Sequence, residues 1–173
     1  HNYGAVTIGG TNSFSQRHIG GIAGMLYGSD EGVVVSDCTN NAVIQSSATN
    51  GGEHRISGIA GHVRYGKITI SSCTNNGEVK TTGTAKNPRP AGIVGVAFGN
   101  ESGSVLEISG CYNRGKISNT STVNGNVQSG GIVGYLRKGN ITGCYNEATV
   151  EVTKAGNNVM LGGIVGSDNT AAS

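Results

Sequence analysis

The sequence predicts an all-β fold, specifically a β-solenoid (β-helix) with three short strands per coil and about four and a half coils. The first observation behind this prediction is a glycine-rich unit that recurs every 32 to 39 residues. The second is that apolar residues within each unit are spaced two apart, which is the strand period. The third is composition: the 173 residues include 31 Gly, two Phe and no Trp, too few large side chains for an ordinary compact core.

One part of the unit is a five-residue segment with the form small residue, Gly, Ile, Ala or Val, Gly. It begins at Gly20, Ser57, Ala91, Gly130 and Gly162. Because like residues stack in a solenoid, we expect its isoleucines to form one buried aliphatic ladder. The ladder would consist of Ile22, Ile59, Ile93, Ile132 and Ile164.

A second part of the unit is the motif Cys-x-Asn, which contains every cysteine of the chain. Its asparagines are predicted to bond from coil to coil as an amide ladder worth about 1 kcal/mol per net bond. Asn2 occupies the equivalent position in an opening unit that lacks the cysteine. The complete motifs place Cys38, Cys73, Cys111 and Cys144 in one ladder and Asn40, Asn75, Asn113 and Asn146 in the other.

The three strands of each unit follow from this spacing. The first begins in the glycine segment, where Ile132, Gly134 and Leu136 would share the inward face. The second precedes the cysteine, and the third follows the asparagine. Parity breaks just before the cysteine, so the chain must bend there. We expect the alternate positions of the first strand to face solvent, namely Met25, His62, Val96 and Tyr135, and the segments 82–90 and 119–128 to be loops.

The domain organisation follows from the same repeats. We expect one repeat domain over residues 1–173, part of a longer array, with a sandwich or a propeller as the competing architectures. The units are approximately 1–19 (partial), 20–56, 57–90, 91–129, 130–161 and 162–173 (partial).

The four cysteines allow two interpretations. An even number in an exported protein suggests disulfides. Cysteines stacked one coil apart, however, have parallel side chains that point poorly for a disulfide, so a buried ladder of free thiols is favoured. Their long spacing lacks the close ligand pairs of structural zinc sites. No metal or cofactor is expected.

The motif Gly-Gly-Ile-Val-Gly followed by Cys-Tyr-Asn-x-Gly resembles the GLUG-motif repeats of large bacterial surface and secreted proteins. The resemblance covers residues 1 to about 168. It implies a repetitive extracellular stalk or adhesive region at the cell surface, with no catalytic residues of its own.

Two functional classes remain from the sequence. The first is a non-catalytic structural or adhesive module of a bacterial cell-surface or secreted protein. The second is a carbohydrate-binding module in which Tyr112 and Tyr145, at the same phase of the repeat, contact the ligand. Glu78, Glu107 and Glu151 were considered as catalytic carboxylates and are expected to be solvated surface charges.

Charge and hydropathy limit the partners. The net charge is +2 with acids and bases scattered, which argues against nucleic acid, and no apolar run suits membrane insertion in this segment. Expected partners are surface glycans or host proteins, flanking repeats, or a second copy joined end to end, because bare terminal coils leave strand edges unpaired.

Overall fold

The computed structural model describes residues 1–11, 15–49, 52–99, 104–123, 125–153 and 158–169. Within these residues the chain forms β-strands, turns and no helix. Every pairing between named strands is parallel and joins one coil to the next. The chain is therefore a β-solenoid of four full coils and part of a fifth among the described residues, which confirms the predicted fold class.

Each full coil passes through five stacked sheets, named A to E in chain order. Sheet A contains β1 (Val6–Ile8), β6 (Ile44–Ser46), β11 (Val79–Thr81), β16 (Ile117–Asn119) and β22 (Val150–Val152). Sheet B contains β2 (Gln16–Gly20), β7 (Glu53–Ser57), β12 (Thr84–Ala91), β18 (Asn126–Gly130) and β23 (Asn158–Gly162), with the short β17 (Thr122–Val123) paired to β12. Sheet C contains β3 (Ala23–Tyr27), β8 (Ala60–Arg64), β13 (Val94–Phe98), β19 (Val133–Lys138) and β24 (Val165–Asp168). Sheet D contains β4 (Val33–Ser36), β9 (Lys67–Ser71), β14 (Val105–Ser109) and β20 (Asn140–Thr142). Sheet E contains β5 (Thr39–Asn40), β10 (Thr74–Asn75), β15 (Tyr112–Asn113) and β21 (Tyr145–Asn146).

The coil thus has five strands rather than the predicted three. The strands of sheet E are two residues long, too short to show a period. The strands of sheet B match only between some neighbouring coils, as Ile19 with Ile56 or Val127 with Val159, so comparison of all the repeats finds no common signature there. The segments 82–90 and 119–128, predicted as loops, contain β12, β17 and the start of β18 where they are described.

The interior is divided into two apolar cores. The larger lies between sheets C, D and E and includes Ile59, Val63 and Ile70. The smaller lies between sheets A and B and includes Ile44 and Ile56. The two cores are separate clusters because sheet C packs directly on the backbone of sheet B.

The last glycine of the five-residue segment makes this close packing possible. A Cβ at Gly61 would lie 2.5 Å from the backbone N of Ile19, and a Cβ at Gly95 would lie 2.8 Å from the N of Ile56. Any side chain would force the two sheets apart. The absence of a side chain at this glycine therefore allows sheet C to pack against sheet B in successive coils.

The predicted bend before the cysteine is present in every coil that contains one. The residue that precedes the cysteine has a left-handed backbone, with φ of 55° at Asp37, 52° at Ser72, 58° at Gly110 and 57° at Gly143. A left-handed residue reverses the strand parity, as the sequence requires. The turn directs the chain from sheet D into sheet E.

The prediction that alternate positions of sheet C face solvent is wrong for two residues. His62 is 1% exposed and Val96 is fully buried, whereas Met25 and Tyr135 are half-buried. The Arg55 guanidinium from sheet B and the Phe98 ring cover His62, and Val96 lies in register between His62 and Tyr135. Side chains such as those of Arg55 and Phe98 therefore form a second layer over the outer face of sheet C.

Candidate functional site

The asparagines form a continuous hydrogen-bonded ladder along the solenoid. The side-chain amide of Asn40 donates to Oδ1 of Asn75 at 2.8 Å, Asn75 to Asn113 at 2.8 Å, and Asn113 to Asn146 at 2.7 Å. Asn2 adds a rung by donating to Asn40 at 2.8 Å. The second amide proton of each of the four later asparagines bonds to the carbonyl two residues on, as Asn113 does to Gly115 at 3.0 Å. These bonds satisfy both amide donors of Asn40, Asn75 and Asn113.

The second glycine of the five-residue segment lies against this ladder. A Cβ at Gly58 would approach Cγ of Asn75 to 2.2 Å, and a Cβ at Gly92 would approach Cγ of Asn113 to 2.4 Å. The two repeated signatures therefore meet across the interior of the same coil. The two signatures contact each other although the number of residues between them differs from coil to coil.

The isoleucines stack in the order predicted. The Ile93 amide donates to the Ile132 carbonyl at 3.1 Å, and the Ile132 amide donates to the Ile164 carbonyl at 2.9 Å. Ile59, Ile93 and Ile132 are fully buried, Ile22 is half-buried and Ile164 is 38% exposed. Burial is therefore complete in the central coils and partial in the first and last.

The cysteines form a file of free thiols. Cys73 and Cys111 are buried, while Cys38 and Cys144 are partly exposed. Each thiol donates to the backbone carbonyl two residues earlier, as Cys73 does to Ser71 at 3.3 Å. Hydrogen bonds with Cys144 and Cys73, together with burial, raise the pKa of Cys111, so this thiol is unreactive at neutral pH.

The two candidate ligand-contact tyrosines lie side by side on sheet E. The rings of Tyr112 and Tyr145 are stacked, with centroids 5.0 Å apart and an interplanar angle of 21°. The Arg114 guanidinium also lies over the Tyr112 ring, at 5.4 Å from its centroid. Each ring therefore uses one face to contact the other, while Tyr145 is 54% exposed.

The surface carboxylates considered in the sequence each have a polar neighbour. Glu78 lies 3.7 Å from the Lys80 ammonium, Glu151 lies 2.7 Å from that of Lys116, and Glu107 accepts a bond of 2.6 Å from Asn140. The Glu78 and Glu151 contacts lie at sheet A, where Lys116 interacts with both carboxylates, and Glu107 lies on sheet D. Each carboxylate is thus engaged by a cationic or amide neighbour.

A pocket that the sequence reading did not find lies where sheets B and C meet. Its volume is about 120 Å³, and every charged residue in its described lining is an arginine. The lining comes from β2, β7, β8, β13 and β19, so the pocket spans several coils. The lining residues are Gln16, Arg55, His62, Arg64, Phe98 and Arg137.

Arg55 is the centre of the contacts in this pocket. It is 6% exposed, and its Nη2 donates to Oε2 of Glu53 at 2.8 Å. Its Nη1 lies 2.9 Å from Nδ1 of His62 and 3.3 Å from Nε2 of His18. The same Glu53 oxygen accepts a bond from Arg89 at 3.3 Å, so one carboxylate serves two guanidinium groups.

The charge of the pocket comes from its arginines. Burial, followed by the nearby Arg55 charge, lowers the pKa of His18 to about 4 and that of His62 to about 2. Both imidazoles are therefore neutral at physiological pH. Burial raises the pKa of Glu53, but the opposing charges of Arg89 and Arg55 outweigh it, and the net shift is downward. Glu53 stays ionised.

Aromatic rings complete the wall. Phe98 lies edge-on to His62, with centroids 5.6 Å apart, and the Arg137 guanidinium lies 5.3 Å from the Phe98 centroid. Arg89 in turn lies 4.8 Å from the centroid of Tyr135. Alternating cationic and aromatic groups thus form a strip along the solenoid axis.

Sequence reasoning missed this pocket because its residues do not repeat. The stacked positions of sheet B hold His18, Arg55 and Arg89, and those of sheet C hold Arg64, Phe98 and Lys138. The available signal was the clustering of His and Arg residues just before and after successive glycine segments. It becomes visible only once sheets B and C are known to pack together.

The described residues contain no group of three or more His, Cys, Asp or Glu side chains placed to hold a metal ion. They also contain no helix long and apolar enough to cross a membrane.

Comparison with known families gives a match to the GLUG motif over residues 125–151. This segment runs from the start of β18 through the glycine segment, Cys144 and Asn146 to sheet A, which is nearly one full coil. Comparison with curated proteins and with solved structures gave no match. Residues 125–151 are thus a GLUG-type repeat, stacked in register with the other coils of the solenoid.

Proposed function

We propose that this chain is a non-catalytic structural and adhesive repeat module of a bacterial cell-surface or secreted protein. The observation that carries the proposal is the asparagine ladder, which runs without a break from Asn2 to Asn146 through four coils. A continuous internal ladder makes a rod whose length and direction are fixed, and this is what a stalk requires.

The arrangement of the polar groups supports the proposal. The repeated polar residues, Cys and Asn, are turned inward and bonded to neighbouring coils, so they serve the fold. Residues that differ between coils include those on the side formed by sheets B and C, such as His18, Arg55 and Arg89 at one register position. A rod with an invariant interior and a variable side is suited to presenting a contact surface to a partner.

The terminal coils suggest a second kind of contact. In the last coil Leu161 is 46% exposed and Ile164 is 38% exposed, whereas Ile132 one coil earlier is fully buried. Flanking repeats or a second copy stacked end to end would cover these side chains. Surface glycans and host proteins are the partners proposed for the lateral face.

Carbohydrate binding through Tyr112 and Tyr145 stays a prediction. Stacking on a sugar uses a free ring face, and the geometry described above turns ring faces toward each other. This pair therefore gives the sugar-binding alternative no specific support, and the adhesive rod is preferred.

A bead assay tests the proposal. Beads that carry the full chain should resist detachment by flow from surfaces coated with mucin or matrix proteins, and the chain should release no reducing ends from polysaccharides. Beads that carry serum albumin are the control. Detachment at the same flow as the control on every surface would contradict an adhesive role, and release of reducing ends would contradict the non-catalytic assignment.

A further inference from the structure

We propose that the pocket between sheets B and C binds the oxyanion group, carboxylate or sulfate, of an acidic polysaccharide. The inference rests on the proposed adhesive function and names its ligand class. It depends on four features of the pocket: its charge, an unused buried donor, its size and its extension along the rod.

The first feature is an excess of positive charge. Arg55, Arg64 and Arg137 line the pocket, and Arg89 lies beside it through its bond to Glu53. Glu53 is the carboxylate that pairs with both Arg55 and Arg89. Among the described residues one acid serves both Arg55 and Arg89, so this group carries a net positive charge, and a buried cationic group favours binding of an anion.

The second feature is an unused donor. Nε of Arg55 is buried and makes no hydrogen bond with any described residue, although Arg55 is 6% exposed. A buried donor left without an acceptor costs about 1–3 kcal/mol. A small shift of the Arg55 side chain toward an oxyanion in the pocket would give this buried donor an acceptor, since guanidinium groups match carboxylate and sulfate oxygens in geometry and charge.

The third feature is size and lining. A volume of about 120 Å³ can admit a charged substituent and part of one ring but not a folded domain. Gln16 supplies an amide for hydroxyl groups, and Phe98 supplies an apolar surface beside the cations. This mixture of amide, ring and guanidinium suits a sugar acid better than an isolated inorganic ion.

The fourth feature is the repetition of cationic groups along the axis. Arg55 and Arg89 are register partners on adjacent coils, and Arg64 and Lys138 flank Phe98 in the register of sheet C. Coils are about 4.8 Å apart, so positive charges recur along the side of the rod at multiples of this distance. A linear polymer with an acidic group on successive sugars presents matching charges along its length. An acidic peptide is the competing polymer.

The test measures binding of the full chain to four polymers by isothermal titration calorimetry at low and physiological salt. Polygalacturonate carries carboxylates, dextran sulfate carries sulfates, unsubstituted dextran is neutral, and poly-L-glutamate represents acidic peptides. We expect binding to polygalacturonate, dextran sulfate or both, weakening with salt, and no binding to dextran. Which acidic polymer binds identifies the source of the oxyanion.

Two variants assign the binding to the pocket. Arg137→Ala removes an exposed guanidinium at the mouth of the pocket and should weaken binding about tenfold or more. Lys116→Ala removes the same charge from the neighbourhood of sheet A, where Lys116 pairs with Glu151, and should change the affinity less than about twofold. Circular dichroism and the melting temperature show whether each variant is folded.

A direct readout at the buried donor completes the experiment. In ¹H–¹⁵N spectra of the arginine side chains, the Nε–H resonance of Arg55 should shift on titration with galacturonate or with sulfate. Absence of binding to both acidic polysaccharides, equal losses in Arg137→Ala and Lys116→Ala, or tighter binding to poly-L-glutamate would overturn the proposal. If beads adhere while the acidic polysaccharides fail to bind, the ligand class is wrong and the adhesive function stands. If the polysaccharides bind while the beads do not adhere, the ligand class stands and the adhesive function is wrong.

Discussion

Replacement of Asn113 by alanine tests the energetic role of the amide ladder. The side chain is fully buried and makes three hydrogen bonds: it accepts from Asn75 at 2.8 Å, donates to Asn146 at 2.7 Å and donates to Gly115 at 3.0 Å. At about 1 kcal/mol net for each bond, the alanine variant should lose about 3 kcal/mol of unfolding free energy. For a domain of this size the melting temperature should fall by about 6–12 °C.

A matched control is available one coil earlier. Asn76 donates to Asn41 at 2.9 Å, also an amide contact between coils, but this pair is exposed. Because water replaces an exposed bond, Asn76→Ala should cost less than about 0.5 kcal/mol. The assay is equilibrium urea denaturation followed by far-ultraviolet circular dichroism, with calorimetry for the melting temperature. Equal losses for the two variants, or a loss below about 1 kcal/mol for Asn113→Ala, would refute the reasoning.

Three further predictions follow from glycine packing, histidine burial and thiol burial. Gly92→Ala should lower the melting temperature strongly, because a Cβ there would lie 2.4 Å from Cγ of Asn113. Gly163 is at the same position of the last repeat, and a Cβ there would have no atom within 4 Å. Gly163→Ala should therefore leave the melting temperature nearly unchanged. Burial, with the nearby Arg17 charge, lowers the pKa of His54 to about 4 from 6.5, so the unfolded chain binds more protons between these values. As the pH drops from 6.5 to 4, His54 should lower the unfolding free energy by up to about 3 kcal/mol, and the lowered pKa values of His18 and His62 should add to this fall. A flat pH profile in urea denaturation would contradict this. Iodoacetamide should modify the partly exposed Cys144 well before the buried Cys73 in timed mass spectrometry. Disulfides between cysteines of neighbouring coils, such as Cys111 and Cys144, would contradict the free-thiol ladder.

The ladders could be predicted from the sequence because each stacked coil needs the same residue type at the same position. Asn75 and Asn113 must match since each bonds to the other, and Gly92 must lack a side chain since Asn113 occupies the space. Such constraints recur at the same position of each repeat, so they can be recognised from the sequence alone. The bend before each cysteine could be predicted in the same way, from the break in parity, and the structure shows that a left-handed residue such as Ser72 makes it.

The pocket could not be predicted because it depends on residues that stacking does not constrain. His62 was assigned to solvent from its alternation with Gly61 and Val63, and that inference assumes that nothing packs on the outer face. Sheet B supplies the covering group, Arg55, from a strand whose sequence differs in every coil. The alternation of residues along one strand does not reveal a side chain that packs on it from another strand, when that second strand has no repeated sequence.

Nuclear Overhauser contacts between asparagine side chains test the central claim most directly. The protein is labelled with ¹⁵N, and the Nδ2 protons of Asn75, Asn113 and Asn146 are assigned. If the coils stack in register, the Asn113 amide shows cross-peaks to both of the other side chains and exchanges slowly with solvent, because all three form one hydrogen-bonded file. Cross-peaks confined to residues of its own repeat, together with rapid exchange, would contradict the solenoid.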